Sequence, residues 1–152
     1  YGDNFQALGV LETRSRKPGR RPELSVYVGE GFWRQCRLRR HVLRLDGFVS
    51  VQAPLSGGEV VTRPLVFSGN RLELNFATSG AGRIGVEIQE ADGRPIEGFS
   101  LGDCDELFGD SLDEVVTWRD NPDVNRIAGR PVRLRFIVRD ADLFSLRFFS
   151  DR

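Results

Sequence analysis

The 152-residue sequence contains no methionine, one histidine and two cysteines, and these shortages exclude several kinds of site. A single histidine, His41, excludes a multi-histidine zinc centre and leaves a catalytic triad unsupported. Its apolar neighbours predict a partly buried strand residue. Cys36 and Cys104 allow one disulfide, but they lie far apart in the sequence and neither belongs to a CxxC pair, which favours two free thiols.

Long apolar runs are also missing. No stretch approaches the roughly 18 consecutive apolar residues of a membrane-spanning helix, and the start shows no basic segment followed by an apolar one, so neither a membrane partner nor an export signal is predicted. Because methionine is absent and the sequence opens with Tyr1, we expect a piece cut from a longer protein. Lys17 is the only lysine among 22 basic residues. Arginine suits bidentate recognition of carboxylates and sulfates, although genome composition produces the same bias.

The formal net charge of zero hides an asymmetry. Residues 1–45 hold ten basic side chains against four acidic ones, whereas residues 84–125 hold two basic against twelve acidic. A nucleic-acid-binding domain is expected to be net positive, with basic and aromatic residues on one face. We therefore predict no nucleic-acid partner.

Alternation of apolar and polar residues predicts many short strands, separated by Gly, Pro, Asn and Asp turn signals. These runs are 24–28, 40–45, 48–51, 58–63, 64–67, 71–76, 84–89, 115–118, 132–138 and 143–148. In the run 71–76 the leucines and Phe76 are predicted to point inward. Short turns are expected at Asp46-Gly47 and at residues 91–94. Only residues 103–108 suggest a helix, so the crossover helices of a parallel sheet are missing.

This pattern predicts an all-β fold, an antiparallel β-sandwich of jelly-roll type. A change of character near Asp46 divides the sequence. Residues 1–45 are predicted to form N-terminal strands and a basic loop from Thr13 to Pro22, and residues 46–152 to form the sandwich.

An acidic segment is the candidate metal site. Asp103, Asp105 and Asp110 supply hard oxygen ligands beside Gly102 and Gly109, which is the kind of loop that binds calcium. The spacing does not match an EF-hand. A solvated acidic loop, or a partner for the N-terminal arginines, is the alternative. Carboxylate pairs can cleave glycosides, but the sequence singles out no pair, so we predict that this chain is not an enzyme.

Aromatic and planar polar side chains give the candidate sugar-binding site. Trp33 lies beside glycine and arginine and is predicted near the surface, whereas Trp118 is equally compatible with the core and with an exposed position. Arg119, Asp120 and Asn121 follow Trp118 directly and can bond sugar hydroxyls. These five residues are the predicted ligand-binding set.

Several segments together resemble a known family. They are Leu38 to Ser50, Asn75 to Ser79, Gly98 to Ser100, and Pro131 to Phe136 with Asp140 to Ser145. The sequence from about 24 to 149 resembles the C-terminal region of bacterial proteins, especially of planctomycetes, that are similar to family 32 glycoside hydrolases. The resemblance implies that residues 1–45 are the last strands of a five-bladed β-propeller and that the rest is the β-sandwich packed against it.

The resemblance also bears on function. The catalytic carboxylates of such a propeller would lie upstream, so the resemblance assigns no catalytic residue here. It implies an accessory domain of a secreted or periplasmic glycan-degrading protein, with a polysaccharide or oligosaccharide as the expected ligand. The arginine-rich composition favours an anionic glycan. The alternative is a purely structural sandwich that stabilises the adjacent propeller domain.

Overall fold

The computed structural model describes residues 3–7, 9–16 and 21–150, and within them the secondary structure is nearly all strand. The strands are β1 (Asn4–Gln6), β2 (Leu11–Thr13), β3 (Glu23–Glu30), β4 (Arg37–Leu43), β5 (Val51–Ala53), β6 (Gly58–Val61), β7 (Arg71–Glu90), β8 (Asp110–Val115) and β9 (Val132–Phe149). The described residues contain no α-helix, and a short 3-10 helix spans Asn125–Ile127. All pairings between these strands are antiparallel. The predicted fold class, all-β and consistent with an antiparallel β-sandwich, is confirmed.

The chain divides into two compact units, with the division between Phe48 and Val49. The sequence pattern had suggested a boundary at about residue 46. The predicted turn at Asp46-Gly47 is present, and Asp46 adopts a positive φ of 53°. Of the predicted basic loop, residues 17–20 lie outside the described residues. Thr13 ends β2.

The first unit is one four-stranded sheet. Its central strand β3 pairs along one edge with β1 and β2 and along the other with β4. The predicted strands 24–28 and 40–45 correspond to β3 and β4. Among the described residues of this unit, Ser25 alone is classed as buried.

The second unit is organised around β7 and β9, which pair over nearly their whole lengths, from Arg71 opposite Phe149 to Glu90 opposite Val132. The register shifts between Thr78 and Arg83, which divides this long ribbon into two halves. The strands β5 and β6 pair with β9, and β8 pairs with β7.

The sequence pattern misplaced several boundaries in this unit. Four predicted strands are halves of two continuous ones, because β7 continues through residues 79–82 and β9 continues through residues 139–142. Residues 48–50 precede β5, and residues 116–118 follow β8 as irregular chain. The predicted helix at 103–108 is wrong; the segment makes turns and a bridge to Ile84. The predicted turn after Glu90 is confirmed by hydrogen bonds of 2.8–2.9 Å between Glu90 and both Gly93 and Arg94.

The hydrophobic core draws on both halves of β7 and β9. Leu72, Leu74 and Phe76 are fully buried, which confirms their predicted orientation. Residues of the other half belong to the same cluster; these include Ile84, Val86, Ile88, Val132, Leu134, Phe136 and Val138. Every residue of the cluster belongs to the second unit.

Two expectations about special residues can be compared directly. Cys36 and Cys104 are both free, as predicted. His41 does lie on a strand, but its side chain is 54% exposed instead of partly buried. In the described part of the chain, no helix has the length and apolar character needed to cross a bilayer.

Candidate functional site

Trp118 belongs to the core of the second unit. Its side chain is 2% exposed, its ring meets Phe99 edge-on at 5.2 Å, and its Nε1 donates a hydrogen bond to the Val86 carbonyl at 3.0 Å. A sugar in solution cannot stack on a ring that is covered in this way. The assignment of Trp118 as a surface ligand contact is therefore corrected, and the core alternative is the one observed.

Arg119, Asp120 and Asn121 form the tight turn that follows. Trp118 and Asn121 exchange backbone hydrogen bonds of 2.9 and 3.1 Å, and the two residues between them have positive φ angles of 53° and 60°. Two consecutive positive φ values define a type I′ hairpin turn. The exposed Arg119 side chain forms an ion pair with Asp103. The three predicted polar residues therefore do lie together, but they form a turn next to a tryptophan that is buried.

The three aspartates of the predicted calcium site have other partners. Asp103 accepts a hydrogen bond from the Ser100 hydroxyl at 2.7 Å, and Asp105 accepts one from the Thr117 hydroxyl at 2.6 Å. These hydrogen bonds are the main reason that the pKa of each carboxyl group is lowered. Asp110 begins β8. Within the described ranges, no three His, Cys, Asp or Glu residues are grouped to hold a metal ion, so the structure does not bring this ligand set together.

Trp33 occupies a different kind of position, in the first unit. Its side chain is 75% exposed and lies at the end of an aromatic cluster, with Phe32 edge-on at 5.0 Å and Phe5 edge-on to Phe32 at 5.1 Å. The loop is held by Asp3, whose carboxylate accepts a hydrogen bond from the Trp33 backbone at 3.1 Å. Gly31, with φ 65°, makes the turn into this loop. The predicted exposure of Trp33 is confirmed.

The strand register shows that this cluster borders an apolar face of the sheet. In an antiparallel pair, directly opposed residues point to the same side. Phe5 opposes Gly29, Leu38 opposes the same glycine from the other edge, and Leu11 and Val42 both oppose Ser25. We call this set the apolar face; its exposed members are Phe5, Leu11, Leu38 and Val42.

A polar network lies at the centre of the apolar face. Arg40 donates to Ser25 Oγ at 2.7 Å, to Thr13 Oγ1 at 2.6 Å and to Glu23 Oε1 at 2.7 Å. The ion pair with Glu23 neutralises the Arg40 guanidinium, and the Arg40 side chain is only 11% exposed. The network links β2, β3 and β4, and it leaves the surrounding surface of this face without excess charge.

The opposite side of β4 carries three basic residues together with Leu43. We call Arg37, Arg39 and His41 the basic row; they alternate along β4 and point away from the apolar face. Glu30 on β3 lies 2.9 Å from Arg39, 4.0 Å from Arg37 and 3.6 Å from His41. Among the described residues, Glu30 is the acidic partner of all three members of the basic row, so one carboxylate faces three basic groups.

The apolar face was missed at the level of sequence. Its signal was the pair Leu38 and Val42, which flank Arg40 at two-residue spacing within a basic run. The alternation predicted a strand correctly, but it cannot show that the apolar side stays uncovered. The exposure of Leu38 and Val42 is a property of the folded structure, and alternation within β4 does not report it.

Buried carboxylates in the second unit were also missed. Glu87 and Glu73 on β7 lie opposite Arg135 and Arg147 on β9, with which they form ion pairs of 3.3 and 2.8 Å. Each arginine is far from its partner in sequence, so alternation within β7 gave no sign that these polar residues would be buried.

In the described residues the fold defines the class, an all-β antiparallel protein, and its first unit exposes Phe5, Leu11, Leu38 and Val42 on the same side of the sheet. No family model, curated protein or solved structure matches the chain.

Proposed function

We propose that this chain is a non-catalytic accessory region of a glycan-degrading protein, whose first unit packs against a neighbouring β-propeller domain. In this proposal the second unit is the β-sandwich of the accessory region. The protein would be secreted or periplasmic, as the sequence resemblance implies. Jelly-roll topology remains a prediction within this proposal.

The observation that carries the proposal is the apolar face. A two-sided sheet gains most of its stability by burying an apolar face against another layer. The described residues of the first unit include one buried residue, Ser25, while Leu38 and Val42 are 71% and 55% exposed. These exposed apolar side chains lie on one side of the sheet, around the polar network of Arg40, and exposed apolar groups gathered on one surface are a sign of an interaction site.

The identity of the partner is supported by sequence and architecture together. Propeller blades are four-stranded antiparallel sheets, and the first unit is an antiparallel sheet of four strands that is three strands wide, because β1 and β2 share one edge of β3. The segment Leu38 to Ser50, which contributes to the resemblance, includes most of β4 and the turn after it. A neighbouring blade would cover the apolar face with its own sheet.

The proposal assigns no reaction to this chain. The buried carboxylates Glu87 and Glu73 are each paired with an arginine, which suits a structural role better than proton transfer. His41 lies in a surface ion pair with Glu30. The catalytic groups of the parent protein would belong to the propeller.

The test is binding to the polypeptide encoded upstream of Tyr1 in the same reading frame, expressed separately and mixed with this chain. We expect a stable complex in isothermal titration calorimetry and size-exclusion chromatography. Val42→Glu places a charge on the apolar face and should weaken binding at least about tenfold, since burying an unpaired charge is costly. Val66→Glu, at an exposed valine of the second unit, is the matched control and should leave binding unchanged.

Two results would overturn the proposal. One is the absence of binding by an upstream polypeptide that is itself folded. The other is equal loss of binding in Val42→Glu and Val66→Glu, which would show that the apolar face is not the contact.

A second candidate function is carbohydrate binding, favoured by the exposure of Trp33. An indole ring that is 75% exposed and fixed by edge-on packing on Phe32 offers a flat surface for sugar C–H groups. Arg34 is exposed beside it, and an arginine-rich surface favours anionic glycans. Trp118 plays no part in this candidate site, because it is buried.

Affinity electrophoresis distinguishes this candidate. The purified chain is run through gels containing neutral, sulfated or uronate polysaccharides, with and without calcium. Retardation that disappears in Trp33→Ala, and persists in the control Phe108→Ala at an exposed aromatic of the second unit, would support sugar binding. No retardation in any gel would rule out this candidate function. Retardation that is the same with and without calcium would contradict a role for the predicted calcium ion in sugar binding.

A further inference from the structure

In the part of the chain that the structure describes, one edge of strand β4 is unpaired. The strand pairs with β3, and no backbone hydrogen bond joins its other edge to any described segment. Six of its seven residues are exposed, and Arg40 is the exception. An unpaired strand edge presents alternating N–H and C=O groups that can accept another strand.

The two sides of β4 differ in chemistry. On the apolar face it presents Leu38 and Val42, with Arg40 neutralised between them by Glu23. On the other side it presents the basic row. An added strand would place its alternate residues beside these two sides in turn, so the side chains that match β4 must also alternate.

The charge of the basic row determines which side chains a partner strand needs on that side. The basic row holds two arginines and a histidine against Glu30 alone, so positive charge is in excess on that side. Charged edge residues can simply prevent aggregation. That explanation accounts for the basic row but not for the exposed Leu38 and Val42, which leave one side of the same edge apolar.

We infer that β4 accepts an added strand from the neighbouring domain, and that this strand alternates apolar residues over the apolar face with acidic residues beside the basic row. The inference rests on the proposed function, because the neighbouring domain supplies the strand. It specifies the chemistry of the partner: an extended polypeptide segment with two-residue alternation of apolar and carboxylate side chains.

The test uses capped nine-residue peptides and the whole chain. One peptide alternates valine and glutamate, a second alternates valine and lysine, and a third has the composition of the first in an order without alternation. Binding is measured by fluorescence anisotropy at low and high salt, and protection of the β4 amides by hydrogen exchange. We expect the alternating acidic peptide to bind, to protect β4 and to weaken as salt increases.

Charge reversal provides the decisive variant. Arg37→Glu with Arg39→Glu should weaken binding of the acidic peptide by about tenfold, as expected for two lost cross-strand charge pairs. The same variant should gain binding of the lysine peptide, a result that a misfolded protein cannot give. Arg63→Glu with Arg94→Glu makes the same charge change in the second unit and should alter neither.

The outcomes separate this inference from the proposed function. If the acidic peptide fails to bind while the upstream polypeptide binds through Val42, strand addition is wrong and domain docking stands. If neither binds, both are wrong. Equal binding of the ordered and disordered acidic peptides would also overturn the inference, because it would show attraction of charge without strand pairing.

Discussion

The indole Nε1 of Trp118 donates a hydrogen bond to the carbonyl oxygen of Val86 across 3.0 Å. The N–H of Val86 in turn donates to Cys104 Sγ at 3.2 Å, so two side chains satisfy the backbone of one buried residue of β7. Buried backbone groups need such partners, because an unpaired one loses its interaction with water without replacement. The segment from Cys104 to Trp118 therefore covers β7 at Val86 and satisfies its backbone hydrogen bonds.

This arrangement predicts graded losses of stability. Trp118→Phe keeps most of the ring volume but leaves the Val86 carbonyl unpaired, which should lower the free energy of unfolding by roughly 1–3 kcal/mol. Trp118→Ala adds a cavity and should lower it by roughly 3–5 kcal/mol. Urea unfolding followed by circular dichroism measures both. The control Trp33→Phe, at an exposed site, should stay within about 0.5 kcal/mol of the parent. Equal stability of Trp118→Ala and the control would contradict the buried placement.

Trp118 also shows what local sequence could and could not predict. Its apolar neighbours Val115 and Val116 were compatible with a core position, and its polar successors with an exposed one. The choice depends on a partner 32 residues away, the Val86 carbonyl. Alternation reports which side of a strand is apolar, whereas burial depends on contacts between distant segments. The inward residues Leu72 and Leu74 were predicted because periodicity alone was sufficient there.

Arg135 links three strands through two carboxylates. It donates to Glu59 on β6 with two bonds of 3.0 Å and to Glu87 on β7 at 3.3 Å. Burial raises the pKa of Glu87, but hydrogen bonds from Gln89, the Leu101 backbone and Arg135 outweigh it, so the pKa lies below its ordinary value of 4.5. The hydrogen bond from Arg135 is the main cause of the lowered pKa of Glu59.

Acid should therefore weaken the second unit. A carboxyl group with a lowered pKa in the folded state stabilises that state fully above its unfolded pKa, near 4.5 for Glu87, and loses this contribution as pH falls through the folded pKa. Glu87→Gln removes that dependence. We expect it to be less stable than the parent at pH 7, by roughly 1–3 kcal/mol, with a smaller difference at pH 3. Urea unfolding at several pH values measures this. A difference that grows on acidification would contradict the assignment.

Gly82 lies where the register of the long ribbon shifts. A Cβ atom at this position would overlap the backbone oxygen of Asp140 and lie 2.9 Å from that of Arg139. Backbone cannot move aside as a flexible side chain can, so Gly82→Ala should lower the free energy of unfolding by roughly 1–3 kcal/mol. Gly80 is the matched control, because nothing lies within 4 Å of a Cβ there. Gly80→Ala should be neutral or stabilise by up to about 1 kcal/mol. Similar effects of the two substitutions would contradict the close approach.

The glycines also explain why two strands were predicted where one exists. The segment Ser79 to Gly82 has the small residues of a turn, and local sequence cannot distinguish a turn from a register shift within a continuous strand. Pairing with β9 decides, since Thr78 opposes Ala141 and Arg83 opposes Arg139 on the same partner strand.

The two free thiols should differ in reactivity. Burial is the main cause that raises the pKa of the Cys104 thiol to about 11, so at pH 8 only about one molecule in a thousand carries the reactive thiolate. Cys36 is exposed in the first unit. Iodoacetamide at pH 8, followed by peptide mass spectrometry, should therefore label Cys36 and leave Cys104 largely unmodified. In urea both should react, which controls for peptide detection. Rapid labelling of Cys104 in the folded protein would contradict this prediction, because it would mean that the segment covering β7 opens readily. In that case Trp118→Ala should increase the rate of Cys104 labelling only slightly.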